Sequence, residues 1–365
     1  MARKTQDKVT VRKQRAAHDT APESLQHVGI LGGGAWGTAL AQTMRRAGRN
    51  ATLWAYEPET VMEITNHHTN RIYLPGVSLD QRIRATAKVS DLSSCDVILI
   101  VVPSQFVRPV AEELAPHIAE GTPVVICTKG LEAASGKVMT EVVAECLPQA
   151  RLAVLSGPSF AGEVARNLPA ALTLACEGET LGQALAGALS HRTFRLYWSD
   201  DILGAQIGGT VKNVLAIATG IVDGRQLGAS AHAAVTTRGF AELARFGMKL
   251  GARYETMTGL SGLGDLILTC SSEQSRNMSL GQALGRGKTL SDVLGARKSV
   301  AEGYHSAAAV VEMARGYGVD MPICEAVADV VAGRVNVEQA IEALLSRPLR
   351  AEADDVSAAR ARATA

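Results

Sequence analysis

Apolar residues along this chain follow two regimes. From His27 to about Arg195, short apolar runs alternate with stretches of helical spacing. "HVGIL" leads into glycines and then "AWGTALAQTMRRAG", which closes at Gly48. "ATLWA", "CDVILIVVP", "TPVVICTKG", "RLAVLSGPS" and "PAALTLACE" are further runs, each stopped by turn residues or a charge. Runs of this length between helical stretches predict a parallel sheet covered on both faces. After about Asp200 the period changes. "ILGAQIGGTVKNVLAIATGIV", "AVTTRGFAELARFGMKLG" and "SAAAVVEMARGYG" all show helical spacing. The expected organisation is an α/β domain over 27–200 and an all-α domain over 201–346. Residues 1–26 are polar and carry six basic side chains with no apolar stretch after them, which excludes a secretory signal and predicts a loose tail. A second flexible tail is expected over 347–365. No uninterrupted apolar run reaches the roughly 18 residues of a membrane span.

One segment departs from its own pattern. "QIGGTVKNVLAIATG" (206–220) is apolar or small almost throughout, yet Lys212 sits within it and two glycines precede it. On a helix its neighbours three and four residues away are Gly208, Gly209, Leu215 and Ala216. That face is thin enough for another body to approach, and the two glycines would let a ligand come close to the amine. Asn213 stands ready to orient a polar group. Taken alone, the segment also fits a lysine that snorkels to water.

"VGILGGGAWGTAL" holds Gly32-x-Gly34-x-x-Gly37 directly after a predicted strand and at the start of a helix. In that context the glycines allow a tight turn and close approach to a pyrophosphate, and the helix N-terminus faces its charge. The first domain is therefore expected to be a Rossmann-type dinucleotide-binding domain. Glu57 lies 20 residues beyond Gly37. An acidic residue there bonds ribose hydroxyls and favours NAD; a solvated residue before a turn is the alternative. Arg45, Arg46 and Arg49 leave NADP open.

Lys129 follows the strand "VVICT" at its carboxyl end, where ligands of open α/β sheets gather. "SGPSF" offers Ser156, Ser159 and backbone N–H groups, or is only a turn. Asp265 follows a glycine-rich loop, and Ser275-Arg276-Asn277 follows it in turn. That trio suits a phosphate, with bidentate charge from Arg276 and hydrogen bonds from its neighbours; alone it fits a helix cap equally well.

Composition narrows the partners. A net charge of +1 provides no field for nucleic acid or a membrane surface. Aromatic residues make up only 4%, too few for base-stacking surfaces. The six cysteines form no CxxC pair and suit reduced thiols of a cytoplasmic protein. His67 and His68 are adjacent and unaccompanied, so no metal site is expected there. Cys270 has no histidine near it in sequence and is expected to be packed rather than nucleophilic.

At this point the residues resemble a family, the bacterial NAD(P)-dependent glycerol-3-phosphate dehydrogenases. "GILGGGAWGTALA", "NHHTNRIYLPG", "VVPS", "CTKGLE", "SGPSFAGEV", "GGTVKNVLAIATGIVDG", "TTRGFAE", "GLSGLGDLILTC", "QSRN" and "AEGY" carry the resemblance, in the family's order, over roughly 27–345. It implies interconversion of sn-glycerol 3-phosphate and dihydroxyacetone phosphate with NAD or NADP, a supply of glycerol phosphate for phospholipid synthesis, and a homodimer. It implies that Lys212 takes the hydroxyl proton, and that Lys129, Gly157, Ser159, Asp265, Ser275, Arg276 and Asn277 contact this small phosphorylated substrate. Trp36, Tyr56, Lys129, Ala161, Arg276, Val300 and Glu302 match cofactor-lining positions. Two positions depart from the pattern. Tyr56 stands where relatives often carry arginine or histidine and has no charge for a 2′-phosphate. Ala35 replaces a common serine hydroxyl.

Oxidising a secondary alcohol requires a base, and a free lysine, with a pKa near 10.4, is too weakly dissociated at neutral pH. Desolvation and the neighbouring Lys129 would lower that pKa, while Asp265 would raise it; the sequence does not decide which prevails. Two rival readings share the cradle: a dehydrogenase of another hydroxy compound, such as a β-hydroxy acid, and a non-catalytic dinucleotide-binding module. The first has less need of Ser275-Arg276-Asn277, and the second does not need Lys212, Asp265 and Arg276 together.

Overall fold

The computed structural model describes residues 20–295 and 301–349. Eight strands form one sheet: β1 (His27–Leu31), β2 (Asn50–Trp54), β3 (Arg84–Thr86), β4 (Val97–Ile100), β5 (Pro123–Ile126), β6 (Arg151–Ser156), β7 (Ala170–Cys176) and β8 (Phe194–Ser199). Their order is β3-β2-β1-β4-β5-β6-β7-β8. The order reverses direction between β1 and β4, the switch point at which such sheets bind ligands beyond their carboxyl ends. Helices α1 (Ala35–Arg46), α2 (Pro58–His67), α3 (Val107–Leu114), α4 (Met139–Cys146), α5 (Ala161–Ala165) and α6 (Glu179–Leu189) lie between the strands. Two buried clusters, one on each face of the sheet, hold this domain together; Leu40, Leu53 and Leu99 belong to one, Ile98, Ile100 and Val143 to the other.

The sheet is not parallel throughout. β7 pairs antiparallel with β6, and β8 pairs parallel with β7. A parallel return needs a crossover that traverses the sheet. The connection from Gly157 to Pro169 contains only the five-residue α5, packed against α1, and the chain turns back beside β6 instead. Burial on both faces gives β7 the same apolar composition as its parallel neighbours, so its direction left no mark in the apolar pattern.

After β8 the fold is helical: α7 (Ile202–Gly224), α8 (Ala229–Leu250), α9 (Tyr254–Met257), a π-helical turn at Leu260–Gly264, α10 (Asp265–Cys270), α11 (Arg276–Gly285), α12 (Leu290–Gly295), α13 (Glu302–Gly316), α14 (Pro322–Val331) and α15 (Val337–Leu345). α7 is the axis of this half, with α8, α10, α11, α13 and α14 around it. It starts at Asp201, whose carboxylate accepts the Gly204 N–H at 2.9 Å and the Arg253 N–H at 2.8 Å. By length and composition α7 could cross a membrane, which a count of uninterrupted apolar residues overlooks. It is instead buried inside the protein from Gly204 to Val222.

The ends differ in part from the expected tails. The last residues before β1 are fixed: the Asp96 carboxylate accepts the Ser24 hydroxyl at 2.9 Å and the Gln26 N–H at 2.7 Å, and Leu25 is buried. At the other end Arg347 pairs with Asp320 at 2.5 Å. The remainder of both expected tails lies outside the described residues.

Candidate active site

Three segments from distant parts of the chain converge on one carboxylate. Asp265 is the first residue of α10, directly after the π-helical turn, a distortion often found at functional sites. Lys212 lies midway along α7, and Lys129 lies beyond the carboxyl end of β5. The Lys212 amine donates to Asp265 Oδ1 at 2.5 Å and to the Thr269 hydroxyl at 2.7 Å. The Lys129 amine donates to Asp265 Oδ2 at 2.6 Å and to the Gly157 carbonyl at 3.4 Å. Lys212 is 6% exposed and Asp265 1%, so the snorkelling alternative does not describe this lysine.

Burial is the largest influence on the Lys212 amine and brings its pKa down to about 8. Asp265 opposes the shift, and Lys129 adds to it. An amine whose pKa lies this close to neutrality can both take up and give back a hydroxyl proton. Thr269 was not singled out in the sequence, although its position one helical turn beyond Asp265 places both on one face.

The two glycines before Lys212 have a different task from the one expected. A Cβ at Gly208 would lie 2.3 Å from the Ser261 carbonyl oxygen, and one at Gly209 would lie 2.8 Å from Ser156 Oγ and 3.3 Å from Lys129 Cγ. They let the π-helical turn and the stem of Lys129 pack directly against α7. The close approach they permit is by the protein itself, and it delivers Asp265 and Lys129 to the amine.

Ser275-Arg276-Asn277 divides its roles. Ser275 is the N-cap of α11, its hydroxyl accepting the Met278 N–H at 3.2 Å. Asn277 is buried; it donates to Asn213 Oδ1 at 3.0 Å and accepts the Gly303 N–H at 2.9 Å, joining α7, α11 and α13. Asn213 is thus engaged with the protein. Arg276 is exposed at the start of α11. It lies close enough to Glu302 to act on its charge, as do Lys129 and Lys212. Burial raises the Glu302 pKa against the pull of those three cations. The Ser159 hydroxyl donates to the Gly157 carbonyl at 3.1 Å. Cys270 is buried, which pushes its thiol up to about 12 and suits packing rather than attack.

The glycine turn fits a pyrophosphate. Gly32 has φ +138°, and a Cβ at Gly37 would stand 1.8 Å from the Gly32 carbonyl oxygen, so neither position takes a side chain. Gly34, the N-cap of α1, faces open space, and Ala35 and Trp36 form the first turn behind it. Glu57 is the last residue before α2, and its carboxylate accepts the Tyr73 hydroxyl at 2.9 Å. Tyr56 beside it is 80% exposed. Arg45 donates to Asn50, Arg46 to the carbonyls of Val164 and Ala165, and Arg49 to that of Ala188. The three arginines that left NADP open are therefore committed to structural bonds. Ala161 begins α5. Val300 lies outside the described residues. Among the described residues, no group of three or more His, Cys, Asp or Glu side chains is placed to hold a metal ion.

Comparison with known proteins finds relatives over most of the chain. Residues 27–182 match the family model for the NAD-dependent glycerol-3-phosphate dehydrogenase N-terminus, and residues 201–342 match that for its C-terminus. The chain is 58% identical over 325 residues to the glycerol-3-phosphate dehydrogenase [NAD(P)+] of Parvibaculum lavamentivorans, covering 89% of this chain and 98% of that protein. It is 59% identical over 330 residues to the same enzyme of Caulobacter vibrioides, covering 90% and 100%. Among solved structures, glycerol-3-phosphate dehydrogenase from Coxiella burnetii superposes with a TM-score of 0.85 at 40% identity, covering 89% of this chain and all of that one.

Proposed function

Because the chain belongs to the NAD-dependent glycerol-3-phosphate dehydrogenase family, we propose that it interconverts sn-glycerol 3-phosphate and dihydroxyacetone phosphate with Lys212 as the acid–base group. The observation that carries this reading is the buried Lys212 amine, brought to about 8 and held by Asp265. When bound, the nicotinamide takes up or supplies the hydride.

The chain's own residues account for the proton and for position. In oxidation Lys212, unprotonated, removes the hydroxyl proton; in reduction it donates the proton back. Such general acid–base help contributes about 10²–10⁴ in rate. Asp265 and Thr269 hold the amine in place. Lys129 adds positive charge next to the reacting oxygen and keeps the amine acidic. Arg276, at the positive end of α11, takes the substrate phosphate. Lys129, Gly157 and Ser159 complete the substrate contacts, with Ser275 and Asn277, whose side chains are engaged within the protein, contributing through the backbone at the N-terminus of α11. Gly32, Gly34, Ala35, Trp36 and Gly37 cradle the dinucleotide, Tyr56 and Glu57 meet its adenosine half, and Ala161 and Glu302 line it further.

The β-hydroxy acid alternative offers no phosphate for a guanidinium at the start of α11 to meet. The reading extends to supply of glycerol phosphate for phospholipids in the cytoplasm by a homodimer; the exposed Leu227 and the exposed first turns of α8 leave surface for a partner copy. Light scattering tests the dimer. The activity is tested by following reduced-nicotinamide absorbance with dihydroxyacetone phosphate and either NADH or NADPH. Oxidation with the phosphorylated triose and none with a β-keto acid is expected; the reverse pattern would overturn the assignment.

A further inference from the structure

The loop after α2 contains a buried asparagine, Asn70, to which nothing above gives a role. It is 1% exposed. Its Nδ2 donates to the Gly33 carbonyl at 2.9 Å and to Thr38 Oγ1 at 2.8 Å. The Thr38 hydroxyl in turn donates to the same Gly33 carbonyl at 3.3 Å. Its Oδ1 accepts the Tyr73 N–H at 3.3 Å, and its carbonyl accepts the Leu74 N–H at 2.7 Å, which closes the loop on itself. Three residues on, Tyr73 reaches Glu57.

The Gly33 carbonyl is therefore held from two sides by side chains behind the glycine turn. A trans peptide unit is planar, with its C=O and N–H pointing in opposite directions. Anchoring the Gly33 oxygen inward turns the Gly34 N–H to the opposite side of the peptide, at a residue where even an added Cβ would meet nothing within 4 Å. Glycine has little steric preference of its own, so a turn made of Gly32, Gly33 and Gly34 needs something else to fix this plane.

We propose that Asn70 is a positioning residue for the dinucleotide. It sets the Gly33–Gly34 peptide so that the Gly34 N–H meets the pyrophosphate, while Tyr73 of the same loop sets Glu57 for the ribose. One loop thus fixes both contacts to the ADP half of the cofactor. This inference rests on the dehydrogenase reading, because it assumes that the cradle holds a dinucleotide.

The test measures NADH affinity by calorimetry alongside steady-state kinetics. Asn70→Ala is expected to weaken NADH binding about tenfold, the loss of one well-placed hydrogen bond. Turnover at saturating NADH stays within about twofold, and KM for dihydroxyacetone phosphate does not move. Asn70→Asp keeps the acceptor for Tyr73 but points an oxygen at the Gly33 carbonyl, so it should bind NADH more weakly than Asn70→Ala. A purely structural role would not produce that order, nor a change confined to NADH. Thr38 provides a second pair: Thr38→Val is expected to weaken NADH binding, and Thr38→Ser to restore it. If neither Asn70 variant folds, the Thr38 pair decides. Unchanged NADH affinity in variants that fold, or Asp no worse than Ala, would overturn the proposal. Wild-type protein that binds no NADH would instead overturn the dehydrogenase reading beneath it.

Discussion

The Lys212 amine and the Asp265 carboxylate meet at 2.5 Å with both side chains almost wholly out of water. Pairing of this kind ordinarily keeps a lysine protonated, yet here the cost of burial is larger, and the amine ends near 8. The carboxylate works mainly as a holder, with one oxygen for each of two lysines.

Removing the amine is expected to stop the chemistry and spare binding. Lys212→Ala should lower kcat by at least about 10² while NADH affinity changes little. Near-normal turnover would remove Lys212 from the mechanism.

The pH dependence follows from the lowered pKa. Glycerol 3-phosphate oxidation needs the unprotonated amine, so kcat/KM should rise with pH and level off above about 8. Reduction needs the protonated amine and should decline over the same range. Asp265→Asn takes away the charge that raises this pKa and should move the midpoint down while kcat falls through lost positioning. Lys129→Met should move it up. A wild-type midpoint near that of free lysine, about 10.4, would contradict the role of burial.

Arg276→Ala is expected to act through position. KM for dihydroxyacetone phosphate should rise at least about tenfold, with a smaller effect on the NADH constant. An unchanged KM for the phosphorylated substrate would count against a phosphate clamp.

Glu242 offers a stability test away from the site. Its carboxylate, 2% exposed on α8, accepts the Ile323 N–H at 2.7 Å and the Cys324 N–H at 3.1 Å at the start of α14. Glu242→Ala leaves both donors without that acceptor and should cost at least about 2 kcal/mol in urea unfolding. Burial, partly opposed by these two bonds, raises the Glu242 pKa to about 7. A carboxyl raised on folding stabilises below its unfolded pKa, about 4.3, and loses that contribution as pH climbs to about 7. The wild type should therefore lose stability relative to Glu242→Gln between those limits. A constant difference across the window would refute the raised pKa.

What could be read from the chain was what repeats locally. Apolar runs and helical periods marked the sheet and the helical half, and the glycines after β1 marked the cradle. Thr269 was within reach of the same reasoning, one turn from Asp265. Asn70 was not, because its meaning lies in a carbonyl 37 residues away. Gly208 and Gly209 were noticed as small, but smallness does not say which neighbour fills the space. The reversal at β7 was hidden because a strand buried on both faces has the same composition in either direction.

That reversal has an electrostatic consequence. β8 runs away from the ligand edge and ends at Ser199, level with Val154 in mid-β6. α7 must then climb back, reaching Ser156 at Gly209 and presenting Lys212 from its flank. Ten residues at about 1.5 Å each leave the helix's positive pole about 15 Å along the axis from the Lys212 backbone, beside Asp201. Had β8 pointed the other way, that pole would have opened at the ligand edge and added to the charge of an oxidised nicotinamide. The turned strands instead bring Lys212, the proton acceptor proposed above, to the site without the cationic end of the helix that carries it.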